Sequence, residues 1–252
     1  MEVFMNNNLN NSWKGFRELV LVDKVDVCPS IISFYFKAKD GGKLVKHKAG
    51  QFLPFKIKTD DPKYKDVIRT YSLSMFPNED IYRISVKKVD GGLISTYLHE
   101  NLNIGDSIEA MIPTGLFTIN NKNNDIVLIS GGIGITPLLS MLYEESSIRN
   151  NIHFIQAVQN SSLHPFKEDI ESIAKIRGVE NTVFYSNPLD TDKEGIDYNF
   201  TGYVNKDFFE KNINLNSDFY LCGPPPFMKA LENTLLELGV DKSKINYELF
   251  SN

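Results

Sequence analysis

A glycine-rich segment near the middle of the chain has the composition of an anion-binding turn. The segment SGGIGITP, residues 130–137, follows an unbroken apolar run and precedes a predicted helix. Glycine lets the backbone approach a ligand closely, and free N–H groups at a helix start favour a pyrophosphate. Thr136 can cap this helix, and Pro137 suits its first turn. Because the segment matches neither G-x-G-x-x-G nor a P-loop, it is equally consistent with a tight structural connection.

A short predicted strand, RTYS at 69–72, carries a second group of chemically useful side chains. Alternation along a strand puts Arg69 and Tyr71 on one face, about 6.8 Å apart. A guanidinium and an aromatic ring on one face can hold a phosphate and a planar heterocycle together. Ser72 points to the other face of a regular strand, so the strand must bend or end there if Ser72 touches the same ligand. The simpler alternative is a barrel strand with a surface arginine and a half-buried tyrosine.

Two further groups lie at the ends of predicted strands in the second half. The segment LCGPPP, residues 221–226, places the thiol of Cys222 at the carboxyl edge of a sheet, where open α/β proteins bind ligands. The segment YELF brings Glu248 and Phe250 to the end of the chain. Taken alone, these residues are equally a buried cysteine, an edge strand and a core aromatic.

The elements that must position these groups change character along the chain. The first half contains short runs rich in Val, Ile, Phe and Tyr, punctuated by turn residues, which predict an antiparallel barrel. Its predicted strands are 16–28, 31–38, 52–59, 67–74, 81–88 and 107–111. Leu and Ile at helical spacing predict one short helix near 93–98 that caps the barrel.

After the polar stretch at 120–124, strands and helices alternate, which is typical of a parallel sheet. Predicted strands are 125–130, 152–159, 181–186, 218–222 and 245–250, and predicted helices are 137–145, 165–176, 206–212 and 226–238. We therefore expect a two-domain β plus α/β protein, with an antiparallel barrel followed by a five-stranded parallel domain. The expected bounds are a disordered tail at 1–14, a first domain at 15–120 and a second at 121–252.

Composition excludes several kinds of protein. Two cysteines in 252 residues cannot supply the four thiolates of an iron–sulfur cluster or of an all-cysteine zinc site. The four histidines show no metal-ligand spacing, so no metal is expected. No apolar run approaches the roughly 20 residues of a membrane span, and the start of the chain lacks a signal-peptide pattern. We therefore expect a cytoplasmic protein with no membrane span and with unpaired thiols.

Charge is distributed unevenly. Residues 1–120 carry a net charge of +2 and residues 121–252 carry −7, and the range 37–65 holds nine lysines against three aspartates. Nucleic acid is not an expected partner, because neither half has the strongly basic balance that phosphate binding requires. The lysine-rich range is either an ordinary solvated surface or a docking face for an acidic protein.

The order of the motifs resembles the ferredoxin–NADP reductase family, and most of all the reductase portion of flavohaemoglobins. The motifs are RxYS at 69–72, GxxS at 92–95, PxGxF at 113–117, GGxGxTP at 131–137, CGP at 222–224 and ExF at 248–250. The resemblance covers about residues 16–250. It implies a Greek-key FAD-binding barrel followed by a nicotinamide-dinucleotide-binding domain, with FAD as cofactor and NADH or NADPH as co-substrate.

The resemblance also implies a role for each matching position. Arg69 would hold the FAD pyrophosphate, Tyr71 would pack on the flavin ring, and Ser72 would lie near flavin N5. The implied catalytic residues are Ser72, Cys222, Glu248 and Phe250, the last covering the flavin face where nicotinamide enters. The implied cofactor-binding residues are Phe52, Arg69, Thr70, Tyr71, Ser72, Gly92, Leu93, Ile94, Ser95, Gly131, Gly132, Gly134, Thr136, Pro137, Cys222, Gly223, Pro224 and Phe250. Phe52 stands where related reductases often have Tyr, so any hydroxyl contact there is lost.

The activity that the resemblance implies is hydride transfer from NAD(P)H to FAD N5, followed by electron transfer to a separate haem or iron–sulfur protein. No globin precedes the barrel in this sequence, so the acceptor is expected to be another molecule. The loop at 159–164 contains no Arg or Lys for a 2′-phosphate, which favours NADH, although Lys167 and Arg177 leave NADPH open. A free-flavin reductase and a non-catalytic FAD- or NAD-binding subunit are the alternatives.

Overall fold

The first half of the chain forms an antiparallel barrel. The computed structural model of the protein describes residues 12–120 and 123–250. The barrel strands are β1 (Arg17–Cys28), β2 (Ile31–Ala38), β3 (Phe52–Ile57), β4 (Arg69–Ser72), β5 (Tyr82–Lys87) and β6 (Ser107–Ala110). Their order is β4-β3-β6-β1-β2-β5. An antiparallel bridge between Leu73 and Ile84 joins the two ends of this order.

Alternating apolar residues explain why these strands close around one core. Leu19, Leu21, Phe34 and Phe36 are fully buried, and they share a cluster with apolar residues of the other four strands. The helix α1 (Leu93–Glu100) adds its apolar side to the same cluster. The helix therefore covers the barrel, as the apolar spacing predicts.

The first described residues contact the barrel. Trp13 packs against the barrel core, and its Nε1 donates a hydrogen bond to the carbonyl oxygen of Ala110 at 3.0 Å. Arg17 stacks over the indole ring with its Cζ 5.2 Å from the ring centroid. Residues 1–11 of the expected tail lie outside the described residues.

The second half is a parallel sheet with helices on its faces. Its strands are β7 (Ile126–Gly131), β8 (Ile152–Val158), β9 (Glu180–Tyr185), β10 (Phe200–Thr201), β11 (Asp218–Cys222) and β12 (Ile245–Glu248), in the order β10-β9-β8-β7-β11-β12. Its helices are α2 (Ile135–Glu145), α3 (Lys167–Arg177), α4 (Lys206–Asn212) and α5 (Pro225–Glu237). The parallel α/β arrangement is confirmed, but the sheet has six strands where we expected five. The extra strand, β10, has only two residues and both are exposed, so it leaves no apolar run in the sequence.

An apolar contact joins the two halves. Ala49 and Phe117, from loops of the barrel half, belong to the buried cluster formed with α2 and β11. The Phe117 ring lies 6.0 Å from that of Tyr220, and a Cβ added to Gly50 would lie 1.9 Å from the Phe117 carbonyl oxygen and 2.5 Å from Met141 Cε. The barrel thus rests directly on α2, and Gly50 is required by close approach.

Within residues 12–120 and 123–250, no helix is both long enough and apolar enough to cross a bilayer.

Candidate active site

On the barrel, the RTYS segment forms all of β4, and the strand ends at Ser72. Phe52 pairs with Ser72, and Phe55 pairs with Arg69, in the antiparallel ladder between β3 and β4. After Ser72 the chain leaves β3, and the backbone N–H of Ser74 bonds to the carbonyl oxygen of Arg83 on β5 at 2.9 Å. This change of partner ends β4 at Ser72, so the strand is shorter than the predicted strand at 67–74.

The two larger side chains of β4 differ in freedom. Arg69 is exposed, and its Nη1 donates only to the carbonyl oxygen of neighbouring Ile68, at 2.9 Å. Tyr71 is half-buried and stacks on Phe55, with ring centroids 5.6 Å apart and an interplanar angle of 28°. Burial raises the pKa of Tyr71 to about 12, so its hydroxyl stays protonated. The strand therefore offers a free guanidinium beside a fixed aromatic ring.

Ser72 carries one of three buried side-chain polar atoms without a hydrogen-bond partner in the described part of the barrel, the others being His47 Nδ1 and Ser107 Oγ. Its side chain is 5% exposed, and its Oγ is buried with no hydrogen-bond partner. An unpaired buried hydroxyl is costly unless something else bonds to it. Across the ladder, the half-buried Phe52 ring lies 3.0 Å from where a Cβ of Gly115 would be. Ser72 and Phe52 therefore share one end of the barrel.

The start of α1 supplies backbone donors rather than free side chains. Its N-cap is Gly92, no side chain caps it, and its first turn holds no acidic residue. The Ser95 hydroxyl is occupied, because it accepts a hydrogen bond from the N–H of Val89 at 3.3 Å. Leu93 is half-buried and Ile94 packs into the barrel core. The N–H groups of this turn can bind an anion, while within the described chain no hydrogen bond or ion pair joins the turn to Arg69.

The glycine-rich turn of the α/β domain is held by its own packing. Residues Gly132–Gly134 form a 3₁₀ turn between β7 and α2. A Cβ on Gly134 would lie 2.2 Å from the Cys222 carbonyl oxygen, and one on Gly131 would lie 2.9 Å from Phe227 Cδ1. At Gly132, which has φ +53°, the same position faces open space. The turn therefore packs tightly against Cys222 and Phe227 on one side and is open on the side of Gly132.

Two local predictions about α2 need correction. The helix begins at Ile135, two residues before the predicted start, and its N-cap is Gly134 with no side-chain cap. Thr136 does not cap the helix, since its Oγ1 donates to the Ile133 carbonyl oxygen at 3.1 Å. Pro137 lies in the first turn as predicted. Without a side-chain cap, the N–H groups at the start of α2 stay available to a ligand.

Cys222 and Glu248 end adjacent strands and are paired in register between β11 and β12. Cys222 is fully buried, and burial together with the nearby Glu248 carboxylate raises the pKa of its thiol far above the usual range. Glu248 is partly buried, and burial raises its pKa to about 7. Its Oε2 has no hydrogen-bond partner. Near neutral pH, the pair therefore consists of a neutral thiol and a carboxyl group that titrates.

The C-terminal aromatic side chain is in contact with solvent. Phe250 is 37% exposed and lies two residues beyond Glu248, which ends β12. Gly223 is buried behind the turn, where a Cβ would lie 3.0 Å from Gly131 Cα, and Pro224 is exposed at the start of α5. The structure thus groups the second-half residues at one sheet edge, and Phe52 with the RTYS residues at one barrel end.

A cleft of about 260 Å³ lies between the two halves. Gly131, Gly132, Ile133, Pro224 and Phe227 line its α/β side, together with residues at the ends of β8 and β9 and the exposed Tyr203. Its barrel side is lined by Lys87 and by 28–31, the tip of the hairpin between β1 and β2. The cleft is therefore lined jointly by both domains at the carboxyl edge of the parallel sheet.

Sequence reasoning missed the barrel wall of this cleft. The segment CPS at 28–30 indicates only a turn, yet Cys28 lines the cleft and Ser30 adopts a positive φ of 70°. Lys87 ends β5, four residues before the GG pair at 91–92. Its position near this glycine pair is the one feature of the sequence that could have indicated a role in the cleft. A larger, more open basin of about 660 Å³ near His153 and Glu180 contains none of the predicted site residues.

The residues present fit two dinucleotides. Unpaired polar atoms at Ser72 and Glu248, uncapped starts of α1 and α2, and the free guanidinium of Arg69 provide donors and acceptors at separate points. The open side of Gly132 leaves room for a ligand to approach the backbone. Together these features match a pyrophosphate at each of two helix starts and planar rings near the barrel end.

Comparisons with known proteins agree with this division. Residues 18–119 match the family model "Oxidoreductase FAD-binding domain", and residues 128–233 match "Oxidoreductase NAD-binding domain". The Flavohemoprotein of Bacillus subtilis is 39% identical over 242 residues, which are 94% of this chain and 60% of that protein. The chain thus spans about 60% of the length of the curated relatives it matches.

Solved structures extend the similarity to the whole fold. The flavohem-like FAD/NAD-binding domain of nitric oxide dioxygenase from Vibrio cholerae is 30% identical with a TM-score of 0.85, and the match covers 95% of this chain and 100% of that one. Phthalate dioxygenase reductase, 24% identical with a TM-score of 0.75 and matched over 94% of this chain and 68% of its own, shares the fold. The chain is an FAD- and NAD-binding oxidoreductase module with a ferredoxin reductase-like fold, and it belongs to the family of flavohemoprotein-type FAD/NAD-binding reductase domains.

Proposed function

We propose that this protein is an FAD-dependent NAD(P)H oxidoreductase that passes electrons to a separate haem or iron–sulfur protein. The observation that carries the proposal is the cleft lined by both domains, with the open side of Gly132 on one wall and Lys87 on the other. A nicotinamide dinucleotide in this cleft would touch both domains at once. The proposed domain bounds remain 15–120 and 121–252.

In this proposal the barrel residues hold FAD. Arg69 and the uncapped start of α1 bind its pyrophosphate, and Tyr71 supports the ring system. The Ser72 hydroxyl, which has no partner in the structure, donates a hydrogen bond to the edge of the ring. Thr70, which is exposed between Arg69 and Tyr71, lines the same strand. The fixed stack of Tyr71 on Phe55 orients the platform before the cofactor arrives, which reduces the cost of binding.

The α/β residues hold the nicotinamide dinucleotide in the same proposal. Backbone N–H groups of the 131–137 turn bind its pyrophosphate, and Cys222 with Gly223 borders the nicotinamide as a neutral, apolar wall. When bound, FAD and NAD(P)H would supply the redox chemistry of the site, which is hydride transfer to the flavin and electron transfer to the acceptor. Phe250 shields the site from water and must move aside, which its exposed position at the end of β12 permits.

Glu248 would accept and donate a proton in this site. Its pKa of about 7 lets the carboxyl group gain and lose a proton near neutral pH, and its Oε2 has no competing partner. A buried carboxyl group with these properties is typical of general acid–base residues.

NADH is the proposed co-substrate in preference to NADPH. In addition to lacking Arg or Lys, the loop at 159–164 is held by a carboxylate, because Asp192 Oδ2 accepts a hydrogen bond from the Ser161 N–H at 3.2 Å. Lys167 is engaged in a 2.8 Å ion pair with Asp197. A negative charge beside this loop would repel a 2′-phosphate. Comparing kcat/KM for NADH and NADPH tests the preference, and a higher value for NADPH would contradict it.

The acceptor is proposed to be an acidic protein, with docking near 37–65. Ion pairs reduce the positive charge of this range, because four of its nine lysines are paired: Lys39 and Lys58 with Glu18, Lys43 with Asp80, and Lys56 with Glu109. Lys37, Lys46, Lys48, Lys63 and Lys65 are left to attract a partner. A reducing cytoplasm is the proposed compartment, consistent with two free cysteines.

Anaerobic addition of NADH to the purified, FAD-loaded protein tests the proposed reaction. The visible absorbance of the flavin should bleach, and the FAD should stay bound through gel filtration. Unbleached flavin would contradict the reductase function, and loss of FAD on turnover would favour a free-flavin reductase. A haem or iron–sulfur protein recovered from the source cell should then be reduced in steady state, more slowly as salt is raised.

A further inference from the structure

Arg83 is a buried cation without an anionic partner. It lies on β5, its side chain is 7% exposed, and within the described residues it forms no ion pair with a carboxylate. Burying an unpaired charge is costly, so the surroundings must compensate for the lost water. None of the roles proposed above uses this residue.

Aromatic rings from both domains provide part of that compensation. The guanidinium carbon lies 5.1 Å from the ring centroid of Phe166 and 5.9 Å from those of Tyr35 and Tyr143. Tyr35 is the cross-strand partner of Arg83 on β2, whereas Tyr143 belongs to α2 and Phe166 is the N-cap of α3. A cation held by rings from two domains favours one relative placement of those domains.

Hydrogen bonds tie the same guanidinium to the chain that continues from β4. Arg83 Nε donates to Ser74 Oγ at 3.1 Å, and Nη2 donates to the Ser74 carbonyl oxygen. The next residue, Met75, accepts a 2.7 Å hydrogen bond at its carbonyl oxygen from Ser140 Oγ of α2. Two consecutive residues are thus held at the interface, just after Ser72.

The α/β contacts of Arg83 also lead toward the cleft. Tyr143 is on α2, the helix that follows the glycine-rich turn. Phe166 follows the loop containing Leu163, which lines the cleft, and it adopts a left-handed backbone with φ 58°. A non-glycine residue in this conformation must be held by its surroundings. The Arg83 guanidinium stacked against its ring is one such constraint.

We propose that Arg83 is a positioning residue that fixes the β4 extension, 73–75, against α2 and the start of α3, and so sets the rate of reaction between the two bound dinucleotides. This inference rests on the proposed function. Reacting atoms must approach closely, and a displacement of about 1 Å can cost about 100-fold in rate. Most of the contacts proposed for each dinucleotide lie within one domain, so Arg83 should change the limiting rate much more than the affinity.

Arg83→Met and Arg83→Lys in the FAD-loaded protein test the proposal. In anaerobic stopped-flow mixing, Arg83→Met should lower the limiting rate of flavin bleaching about 10- to 100-fold, while half-saturating NADH changes less than about threefold. Lys keeps the charge but cannot bond both Ser74 oxygens, so it should recover only part of the rate. An unchanged limiting rate in Arg83→Met would overturn the proposal.

Arg17→Met is a matched control, because Arg17 also stacks on an aromatic ring, that of Trp13, but contacts only the barrel. It should lower stability and leave the bleaching rate unchanged. A rate loss equal to that of Arg83→Met would show that any damage to the barrel slows the reaction, and would overturn the specific role.

Hydrogen–deuterium exchange supplies a readout that does not depend on activity. In Arg83→Met, amides at 73–76 and at 164–168 should both exchange faster, whereas Arg17→Met should change neither segment. Tyr143→Leu provides a second variant if Arg83→Met does not fold, and it should produce the same two-segment pattern. Faster exchange confined to one domain would overturn the proposal. Parent protein that NADH fails to bleach would contradict the proposed function instead.

Discussion

The barrel strand RTYS and the glycine-rich turn at 131–137 present opposite designs for holding similar ligands. The strand offers side chains: Arg69 is free in solvent, and the hydroxyl of Ser72 lacks a partner. The turn offers backbone, with Gly134 pressed against Cys222. Side chains can be exchanged without moving a strand, whereas a backbone surface depends on everything packed behind it.

This difference predicts how each region tolerates substitution. In the strand, a lost side chain should cost binding and leave folding intact, because little of it supports the core. In the turn, an added methyl group should disturb folding and binding together, because two backbone segments, 131–134 and 222–223, meet there. The predictions below separate these two behaviours, beginning with the turn.

Gly134→Ala should have the largest effect. Its Cβ would lie 2.2 Å from the Cys222 carbonyl oxygen and 2.6 Å from the Gly223 nitrogen, both backbone atoms that cannot rotate away. The end of β11 must therefore shift, at a cost of about 3 kcal/mol. We expect NADH-dependent flavin reduction to fall more than about 100-fold and the urea midpoint to drop. Stopped-flow bleaching and equilibrium unfolding measure the two effects.

Gly132→Ala is the matched comparison within the same turn. No atom lies within 4 Å of its added Cβ, so the cost comes from φ +53° alone and should be about 1 kcal/mol. If Gly134→Ala lowered the stability no more than Gly132→Ala does, the turn would be shown to adapt to an added methyl group. The difference drawn between the backbone site and the side-chain site would then be wrong.

Arg69→Ala tests the strand. The guanidinium is exposed and, among the described residues, its one hydrogen bond is to Ile68, so its removal should leave the unfolding midpoint of the FAD-free protein unchanged. A charge-assisted bond to a phosphate contributes about 1.5–3 kcal/mol, so FAD affinity should fall about 10- to 100-fold. Titration of the FAD-free protein, followed by flavin fluorescence, measures the loss. A lowered midpoint without weaker binding would assign Arg69 to structure.

Glu248→Gln tests a residue at the carboxyl edge of the parallel sheet. Its side chain is available to a ligand, as on the barrel strand, but it lies beside the packed Cys222, as in the glycine-rich turn. Burial raises the Glu248 pKa from 4.5 to about 7, so the folded state favours the protonated form. This favourable contribution is complete below about pH 4.5 and is lost as pH rises to about 7. Glutamine cannot ionise, so the variant should gain on the order of 2 kcal/mol relative to the parent across this range.

Urea unfolding of both proteins between about pH 5 and 8 measures the Glu248 effect. The two stability curves should diverge with rising pH and then run parallel above about pH 8. Curves that remain parallel throughout would show that Glu248 ionises freely. Such a result would also remove the proposed proton-handling role.

Much of this fold could be predicted because apolar runs dictate it locally. β2, α4 and β11 have the predicted bounds, and β7 is buried at every residue, as its unbroken apolar run requires. The strand β10 and the early start of α2 were missed, because two exposed residues and an uncapped glycine turn leave no such pattern.

The sites were harder to predict because they depend on distant contacts. The lysine-rich range loses charge to Glu18, which is 21 residues from Lys39 in the chain. Arg83 acquires its role only when Phe166, from the other domain, meets its guanidinium. Both effects come from residues that no local pattern connects, so motif order could indicate the cofactors but not how the two domains are held together.

Phe52→Tyr should have the smallest effect and sharpens the comparison on the strand side. Phe52 pairs with Ser72, and its ring packs on Gly115, which has φ +126° and whose hypothetical Cβ would lie 3.0 Å from the ring. Phe52 is only half-buried, so we expect an added hydroxyl to be accommodated without moving the backbone. One neutral hydrogen bond contributes about 1 kcal/mol at most, so FAD affinity should rise less than about fivefold with an unchanged unfolding midpoint. A large loss of stability would show that this end of the barrel is packed as tightly as the glycine-rich turn, because only a rigid backbone would reject one extra oxygen atom.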